Sequence, residues 1–158
     1  MTSDFKSQAT SLKSFEDMLN YLKREQVLHE PDEERRRVEI PTRVGQAETV
    51  LVVFWGEEVP LVQCICPLPI KVPEGRVSIL ESTIVRLNHQ LDLAGFGFNH
   101  EKGLLYYRLT LPRRLPEYDL LGEELEKLCR IVVETVNKFY PKLFEVVVQG
   151  KSLKELRI

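Results

Sequence analysis

Three cysteines are the first residues in this chain that could do chemistry: Cys64, Cys66 and Cys129. A redox pair has the spacing C-x-x-C, whereas a single residue separates Cys64 from Cys66, and no second pair completes a zinc site. On a β-strand, two residues with this spacing point to the same face of the sheet. Because free cysteine packs as a small apolar side chain, we expect three reduced, structural thiols and neither a metal nor another cofactor.

The histidines could act as general bases or metal ligands, but His29, His89 and His100 are far apart in the sequence. No two of them have the spacing of paired ligands on one helix face. The sequence also lacks a phosphate-binding P-loop and a G-x-S-x-G nucleophile motif. It therefore predicts no catalytic residue and a protein that is not an enzyme, although an active site assembled from distant residues would leave no such pattern.

Gly95-Phe96-Gly97 resembles part of a dinucleotide-binding loop. That loop follows a strand and opens a helix, whereas here a helical pattern precedes the glycines and a strand pattern includes them. Glycine inside a strand indicates a bulge or a close approach between backbones. We therefore expect these glycines to serve the fold and not a bound nucleotide.

The hydrophobic pattern predicts eight longer elements that would position these residues. A first helix begins near Ser11 or Ser14 and ends around Leu28-His29, before Pro31. At Ser14 an N-cap residue is followed by an acidic first turn and the apolar stripe Phe15, Met18, Leu19 and Leu22. Apolar periodicity and turn residues place the other seven at residues 36–44, 49–55, 61–70, 73–92, 95–98, 104–111 and 119–144.

The predicted order α-β-β-β-α-β-β-α is typical of an α+β fold in which helices pack on a single antiparallel β-sheet. Pro141 should kink or restart the last helix. Residues 1–158 would form one domain, with a loose N-terminus at residues 1–10 and a weakly structured tail at residues 151–158.

Composition narrows the class of protein. Apolar residues make up 43% of the chain and charged residues 29%, and the formal net charge is −2. This balance is that of an ordinary globular domain and lacks the basic excess of a nucleic-acid-binding protein. The longest wholly apolar run, residues 50–55, is too short to cross a bilayer, and the first residues do not resemble a signal peptide. We expect a cytoplasmic protein with neither nucleic-acid nor membrane partners.

The strand at residues 49–55 is apolar on both faces, unlike a strand with one solvated face. Either both faces belong to the core, which is the usual fate of apolar side chains, or one of them meets another chain. In the second case the candidate partner-binding residues are Leu51, Val53, Trp55, Leu104 and Tyr106. The sequence does not determine which face is free, and the list is inverted if the faces are reversed.

Residues 77–150 resemble the bacterial YbjN-like family. The resemblance lies in four segments: RLN at 86–88, GFGF at 95–98, EKGLLYYR at 101–108 and VETVNKFYP at 133–141. It implies a fold similar to that of type III secretion chaperones, whose element order is like the one predicted above. Chaperones of that fold are homodimers that hold extended segments of client proteins in apolar grooves, and the YbjN-like branch has been linked to regulation and stress responses.

The resemblance and the two-sided sheet together favour a homodimeric, non-catalytic protein-interaction module, chaperone-like or regulatory, that binds a segment of a partner protein. Strand addition at a sheet edge, or a side-chain pocket on the sheet, would supply the affinity. The alternative is a regulatory domain that responds to a small molecule, with Tyr106, Tyr107 and Arg108 in its pocket.

Overall fold

A computed structural model describes residues 9–152, 154 and 155. The elements follow one another as β1 (Ser11–Leu12), α1 (Phe15–Arg24), β2 (Glu30–Asp32), β3 (Arg37–Val44), β4 (Ala47–Trp55), β5 (Leu61–Pro67), α2 (Val77–Gln90), β6 (Phe96–Asn99), β7 (Leu104–Pro112), β8 (Arg114–Leu115), β9 (Tyr118–Leu121) and α3 (Gly122–Val147), with one turn of 3₁₀ helix at Glu74–Arg76. The predicted loose N-terminus and tail lie largely outside the described residues, since residues 1–8, 153 and 156–158 are not described.

The strands form two antiparallel sheets. Six strands pair in the order β2-β3-β4-β5-β7-β6, and the other three pair as β1-β9-β8. The mixed α+β class, the three helices and the order of the eight longer elements are confirmed, but the prediction of a single sheet is wrong. Strands β1 and β8 have only two residues each, too few to show a periodic pattern.

Strand β9 was predicted as the first turn of the last helix. Its residues Leu120 and Leu121 instead pair with Leu12 and Ser11, and the helix begins only at Gly122. Helix α3 then runs without interruption past Pro141 to Val147, so the predicted restart is not present.

Helix α1 begins after Ser14, the second of the two predicted starts, whereas Ser11 lies in β1. The Asp17 amide donates to the Ser14 side chain over 3.1 Å, and Glu16 and Asp17 place negative charge at the helix N-terminus. Its apolar stripe is buried. The helix ends earlier than predicted, at Arg24, because Gln26 adopts a left-handed conformation with φ of 56°.

All three helices contribute to one hydrophobic core that covers one face of the six-stranded sheet. Strand residues Val38, Val53, Cys64 and Leu109 are nearly inaccessible and belong to this core. The helices contribute a second set of buried side chains, among them Leu19, Leu80, Leu87, Leu125 and Val136.

Candidate interaction surface on the open face of the sheet

The register of the six-stranded sheet assigns each strand residue to one of two faces. Val38, Val53, Cys64 and Leu109 are cross-strand neighbours and point toward the helices. Because successive residues of a strand point in opposite directions, the neighbouring row points away from the helices. That row consists of Glu39, Val52, Ile65 and Arg108.

We define the open face as the surface of this sheet that lies opposite the helices. Its apolar and aromatic side chains include Pro41, Val50, Val52, Phe54, Leu61, Ile65, Pro67, Leu104 and Tyr106. Most of them are half-buried, and none of them is part of the hydrophobic core cluster. Val52 is only 9% exposed, but it does not belong to the hydrophobic cluster that includes the buried helix side chains. The open face is therefore an apolar surface that no element covers within the described part of the chain.

Charged side chains frame this surface. The Arg37 guanidinium lies over the Phe54 ring at 5.8 Å, and that of Arg108 lies over the Tyr106 ring at the same distance. Arg37 also approaches two carboxylates, Asp32 at 3.3 Å and Glu39 at 3.6 Å. The stems of these arginines shield part of the aromatic surface. Arg108 is exposed, whereas the Arg37 side chain is only 24% exposed and its Nε is buried.

The five predicted partner-binding residues are divided between the two faces. Leu51, Val53 and Trp55 are 3%, 1% and 3% exposed and lie in the core beneath the helices. Leu104 and Tyr106 are half-buried and lie on the open face. On β4 the open face is formed by the opposite set, Val50, Val52 and Phe54. The prediction puts the five residues on one face, so inverting the list would correct β4 but misplace Leu104 and Tyr106.

Ile65 and Arg108 lie at the centre and margin of the open face but were absent from the predicted set. Along β5, Ile65 alternates with Cys64 and Cys66, so the sequence predicts that it points to the face opposite the two cysteines. Which of the two faces is open could be decided only once the helices were placed.

The edges of the six-stranded sheet are protected. At the β6 edge, the Asn88 side chain forms two hydrogen bonds with the Phe96 backbone, at 2.8 and 2.9 Å. At the other edge the three residues of β2 cover only the first part of β3, and Pro41 follows there, with no N–H to donate. Blocked edges of this kind oppose strand addition. The open face is therefore better suited to binding than the edges.

Apart from one contact between two cysteines, the cysteines and histidines do not converge on a site. The Sγ atoms of Cys64 and Cys129 lie 3.9 Å apart, and their contact, together with burial, raises the pKa of the Cys64 thiol. Burial raises the pKa of the Cys66 thiol to about 12. Both buried thiols stay protonated and unreactive at neutral pH.

The histidines make separate contacts. His29 Nδ1 lies 2.7 Å from the Val27 carbonyl oxygen, and His100 Nε2 lies 2.6 Å from a Glu81 carboxylate oxygen. Within residues 9–152, 154 and 155, no three histidine, cysteine or acidic side chains are grouped as metal ligands would be. The absence of catalysis stays a prediction. No helix in the same residues has the length and apolar character needed to cross a membrane.

Comparison with known proteins identifies one family. The model of the YbjN family, described as "Putative bacterial sensory transduction regulator", matches residues 14–145. Among solved structures, the chain is similar to the crystal structure of YbjN from E. coli, described as a putative transcription regulator. The two share 7% sequence identity with a TM-score of 0.60, over 82% of this chain and 93% of that chain. At this identity the likeness shows the fold alone. No significant match was found among curated protein sequences.

Proposed function

The chain belongs to the YbjN family, and from this premise we propose that it is a non-catalytic regulatory protein that binds a segment of a partner protein on its open face. A holding mode like that of type III secretion chaperones, with an extended client on an apolar surface, is part of this proposal.

The observation that carries the proposal is the uncovered apolar surface formed by Val50, Val52, Phe54 and Ile65. Contiguous exposed apolar patches are rare on proteins that act alone, and they typically mark a surface that another molecule covers. The patch lies at the centre of four paired strands, with charged side chains only at its margins. An apolar centre with a polar rim is the usual anatomy of a protein interface.

Binding across the face fits this molecule better than strand addition at an edge. At one edge the Asn88 side chain hydrogen-bonds the backbone N–H and C=O of Phe96. At the other edge, β2 pairs with only three residues of β3, and Pro41 follows without an N–H to offer a further strand. A segment on the open face would place its apolar side chains over Val52 and Ile65. Its charged flanks would meet Glu39 on one side and Arg108 on the other, which would fix its direction.

Selection of peptides from a random library against the purified protein tests this proposal. We expect the enriched peptides to be apolar and extended, and their binding to be lost in Ile65→Lys. The matched control is Val85→Lys, since Val85 is 69% exposed on α2, away from the open face. Enriched peptides that bind Ile65→Lys as tightly as the unchanged protein would contradict the proposal.

One observation favours the small-molecule alternative. A depression of about 650 Å³ adjoins the open face and is lined by Phe54, Leu61, Ile65 and charged residues of the neighbouring turns. Of the residues predicted for this role, Tyr106 and Arg108 lie on the open face, whereas Tyr107 is fully buried. A metabolite that raises the melting temperature of the unchanged protein but not of Phe54→Ala would support this alternative.

A further inference from the structure

The open face has opposite charges at its two sides. Glu39, Val52, Ile65 and Arg108 are cross-strand neighbours on β3, β4, β5 and β7, so one row leads from an acidic residue over two apolar residues to a basic residue. We call it the Glu39–Arg108 row. Three strand spacings, about 14 Å, separate the backbones at its two ends. A segment that lies along this row meets a negative charge at one end and a positive charge at the other.

The acidic side has an excess of negative charge. Glu30 on β2 lies directly opposite Glu39, so two carboxylates point from the same face of neighbouring strands. Like charges in this arrangement destabilise a sheet. Arg37 offsets them only in part, because it lies closer to Asp32 than to Glu39, at 3.3 Å against 3.6 Å. A basic side chain of a bound segment would relieve the remaining repulsion.

The basic side has an exposed cation. The Arg108 guanidinium lies over the Tyr106 ring at 5.8 Å. In the part of the chain that the structure describes, no carboxylate forms an ion pair with it. An acidic side chain of a bound segment would form a charge-assisted hydrogen bond with this group, which is stronger than a bond between neutral groups.

We propose that the segment bound by the open face is extended and carries a basic, a large apolar and an acidic residue at positions i, i+2 and i+4. The inference rests on the proposed function, since it specifies the segment that the open face binds. The basic side chain pairs with Glu30 and Glu39, and the acidic side chain pairs with Arg108. The apolar side chain lies between Val52 and Ile65, at the middle of the row.

The length of the row favours an extended segment. Alternate residues of an extended chain point to the same side, and residues i and i+4 lie about 13 Å apart, close to the distance between the two ends of the row. Helix residues that share one face at a comparable distance are seven or eleven positions apart, at about 10.5 or 16.5 Å. Residues on one side of a polyproline helix repeat at about 9 and 19 Å. The extended chain therefore matches best, and its residue i+2 lies over the middle of the row.

The middle residue of the segment has room to be large. The depression of about 650 Å³ beside the row is lined by Phe54, Leu61 and Ile65. Because Ile65 belongs to both the row and the depression, a side chain that rests on Ile65 can extend into the depression. An apolar side chain that fills a pocket at the centre of an interface typically contributes most of the binding energy. Position i+2 is therefore the anchor of the segment.

The charges also determine the direction of the segment. A segment with its basic residue first runs from β3 toward β7. One with its acidic residue first runs the opposite way, because side chains and not backbone groups make the contacts. Both orders should bind, whereas segments with two like charges should not.

Four short peptides with neutral flanks and capped ends test this pattern on the full chain. Their central residues are Lys-Thr-Leu-Thr-Glu, Lys-Thr-Leu-Thr-Lys, Glu-Thr-Leu-Thr-Glu and Lys-Leu-Thr-Thr-Glu. The first has the proposed pattern, and the next two bring like charges together at one side of the face. The last has the composition of the first, but its leucine points away from the sheet. In fluorescence anisotropy at low ionic strength, the first peptide should bind about tenfold more tightly than each of the others.

Charge reversal in the protein should exchange these preferences. Arg108→Glu makes both sides acidic, so this variant should bind the peptide with two lysines best. The double variant Glu30→Lys, Glu39→Lys makes both sides basic and should bind the peptide with two glutamates best. The controls Arg130→Glu and Glu134→Lys change exposed residues of α3 and should keep the preference of the unchanged protein. Circular dichroism shows whether each variant is folded.

Equal binding of the four peptides to the unchanged protein overturns the inference and leaves the proposed function standing. A folded Arg108→Glu variant that keeps the original preference has the same consequence. If neither these peptides nor any peptide of the random library binds, the proposed function itself fails. Sedimentation with the first peptide in excess tests for a second copy as the occupant. Self-association that Ile65→Lys abolishes and the peptide does not would overturn the inference.

Discussion

The side chain of Asn88 on α2 is joined to the backbone of Phe96 on β6 by two hydrogen bonds. Asn88 Nδ2 donates to the Phe96 carbonyl over 2.9 Å, and the Phe96 N–H donates to Asn88 Oδ1 over 2.8 Å. The amide group thus takes the place that a further strand would occupy at this edge of the sheet. Phe96 is only 5% exposed, so water has little access to these groups.

Asn88→Ala should therefore lower the free energy of unfolding by about 2–3 kcal/mol, because a backbone donor and acceptor lose their partner where water compensates poorly. Urea denaturation measures this change. Hydrogen exchange gives a local test, since the Phe96 amide should lose its protection while the amides of β4 and β5 keep theirs.

The matched control is His89→Ala, the exposed neighbour on the same helix, which should change stability by less than about 0.5 kcal/mol. Asn88→Asp should fall between Asn88→Ala and the unchanged protein, because it keeps the acceptor for the Phe96 N–H but cannot donate to the carbonyl. Equal stability of the Asn88→Ala and His89→Ala variants would contradict this role of Asn88.

Phe54 and Trp55 are consecutive residues on opposite faces of the sheet. Substituting each one by alanine should therefore show how much its face contributes to the free energy of unfolding. Trp55 is 3% exposed and in the core, so Trp55→Ala should cost about 3–5 kcal/mol. Phe54 is half-buried on the open face, so Phe54→Ala should cost about 1 kcal/mol or less. Urea denaturation of both variants at a concentration where the protein is monomeric makes the comparison. Equal costs would mean that the open face is covered within the monomer.

The long elements could be predicted from the sequence because their periodicity is local. The apolar stripe from Phe15 to Leu22, for example, predicts α1, and Ser14 before it predicts the N-cap. The second sheet could not be predicted, since the Ser11–Leu12 strand exists only through its pairing with Leu121 and Leu120, more than a hundred residues away. A strand of two residues has no periodicity of its own.

The candidate site could be predicted only up to a choice between two faces. Alternation along β4 separates Val50, Val52 and Phe54 from Leu51, Val53 and Trp55, but both sets are apolar and either could be inside. The choice is made by where the helices pack, because the core includes Leu51 and excludes Val52. The packing of helices on the sheet joins residues that are distant in the sequence, so the pattern within one strand does not predict it.

Gly122→Ala should destabilise the protein although alanine favours helices. Helix propensity alone would give a gain of up to about 1 kcal/mol. A Cβ at Gly122, however, would overlap the Tyr21 ring, which is 5% exposed and held by a 2.7 Å hydrogen bond from its hydroxyl to Glu126. Because this ring cannot move aside, we expect a net loss of about 1–3 kcal/mol in urea denaturation.

Gly75→Ala is the control, because a Cβ there meets no atom within 4 Å, and it should be neutral or slightly stabilising. In a Tyr21→Ala background the cost of Gly122→Ala should disappear, since the overlapping ring is gone. A cost that persists in that background would place its cause elsewhere in α3.

Cys66 should make the fold sensitive to alkaline pH. Burial raises the pKa of its thiol to about 12, whereas an unfolded cysteine has a pKa of about 8.5. Between these two values the folded chain holds a proton that the unfolded chain has released, so raising the pH favours unfolding. The contribution is intact below about pH 8.5 and is lost as the pH rises toward 12, by up to about 1.4 kcal/mol per pH unit.

Cys66→Ala removes this group, so urea denaturation between about pH 8.5 and 10, with a reducing agent present, should show a shallower fall in stability than in the unchanged protein. The comparison of slopes is independent of any stability that Cys66→Ala loses at neutral pH through its smaller volume. Parallel pH profiles for the two proteins would mean that the Cys66 thiolate is tolerated in the fold.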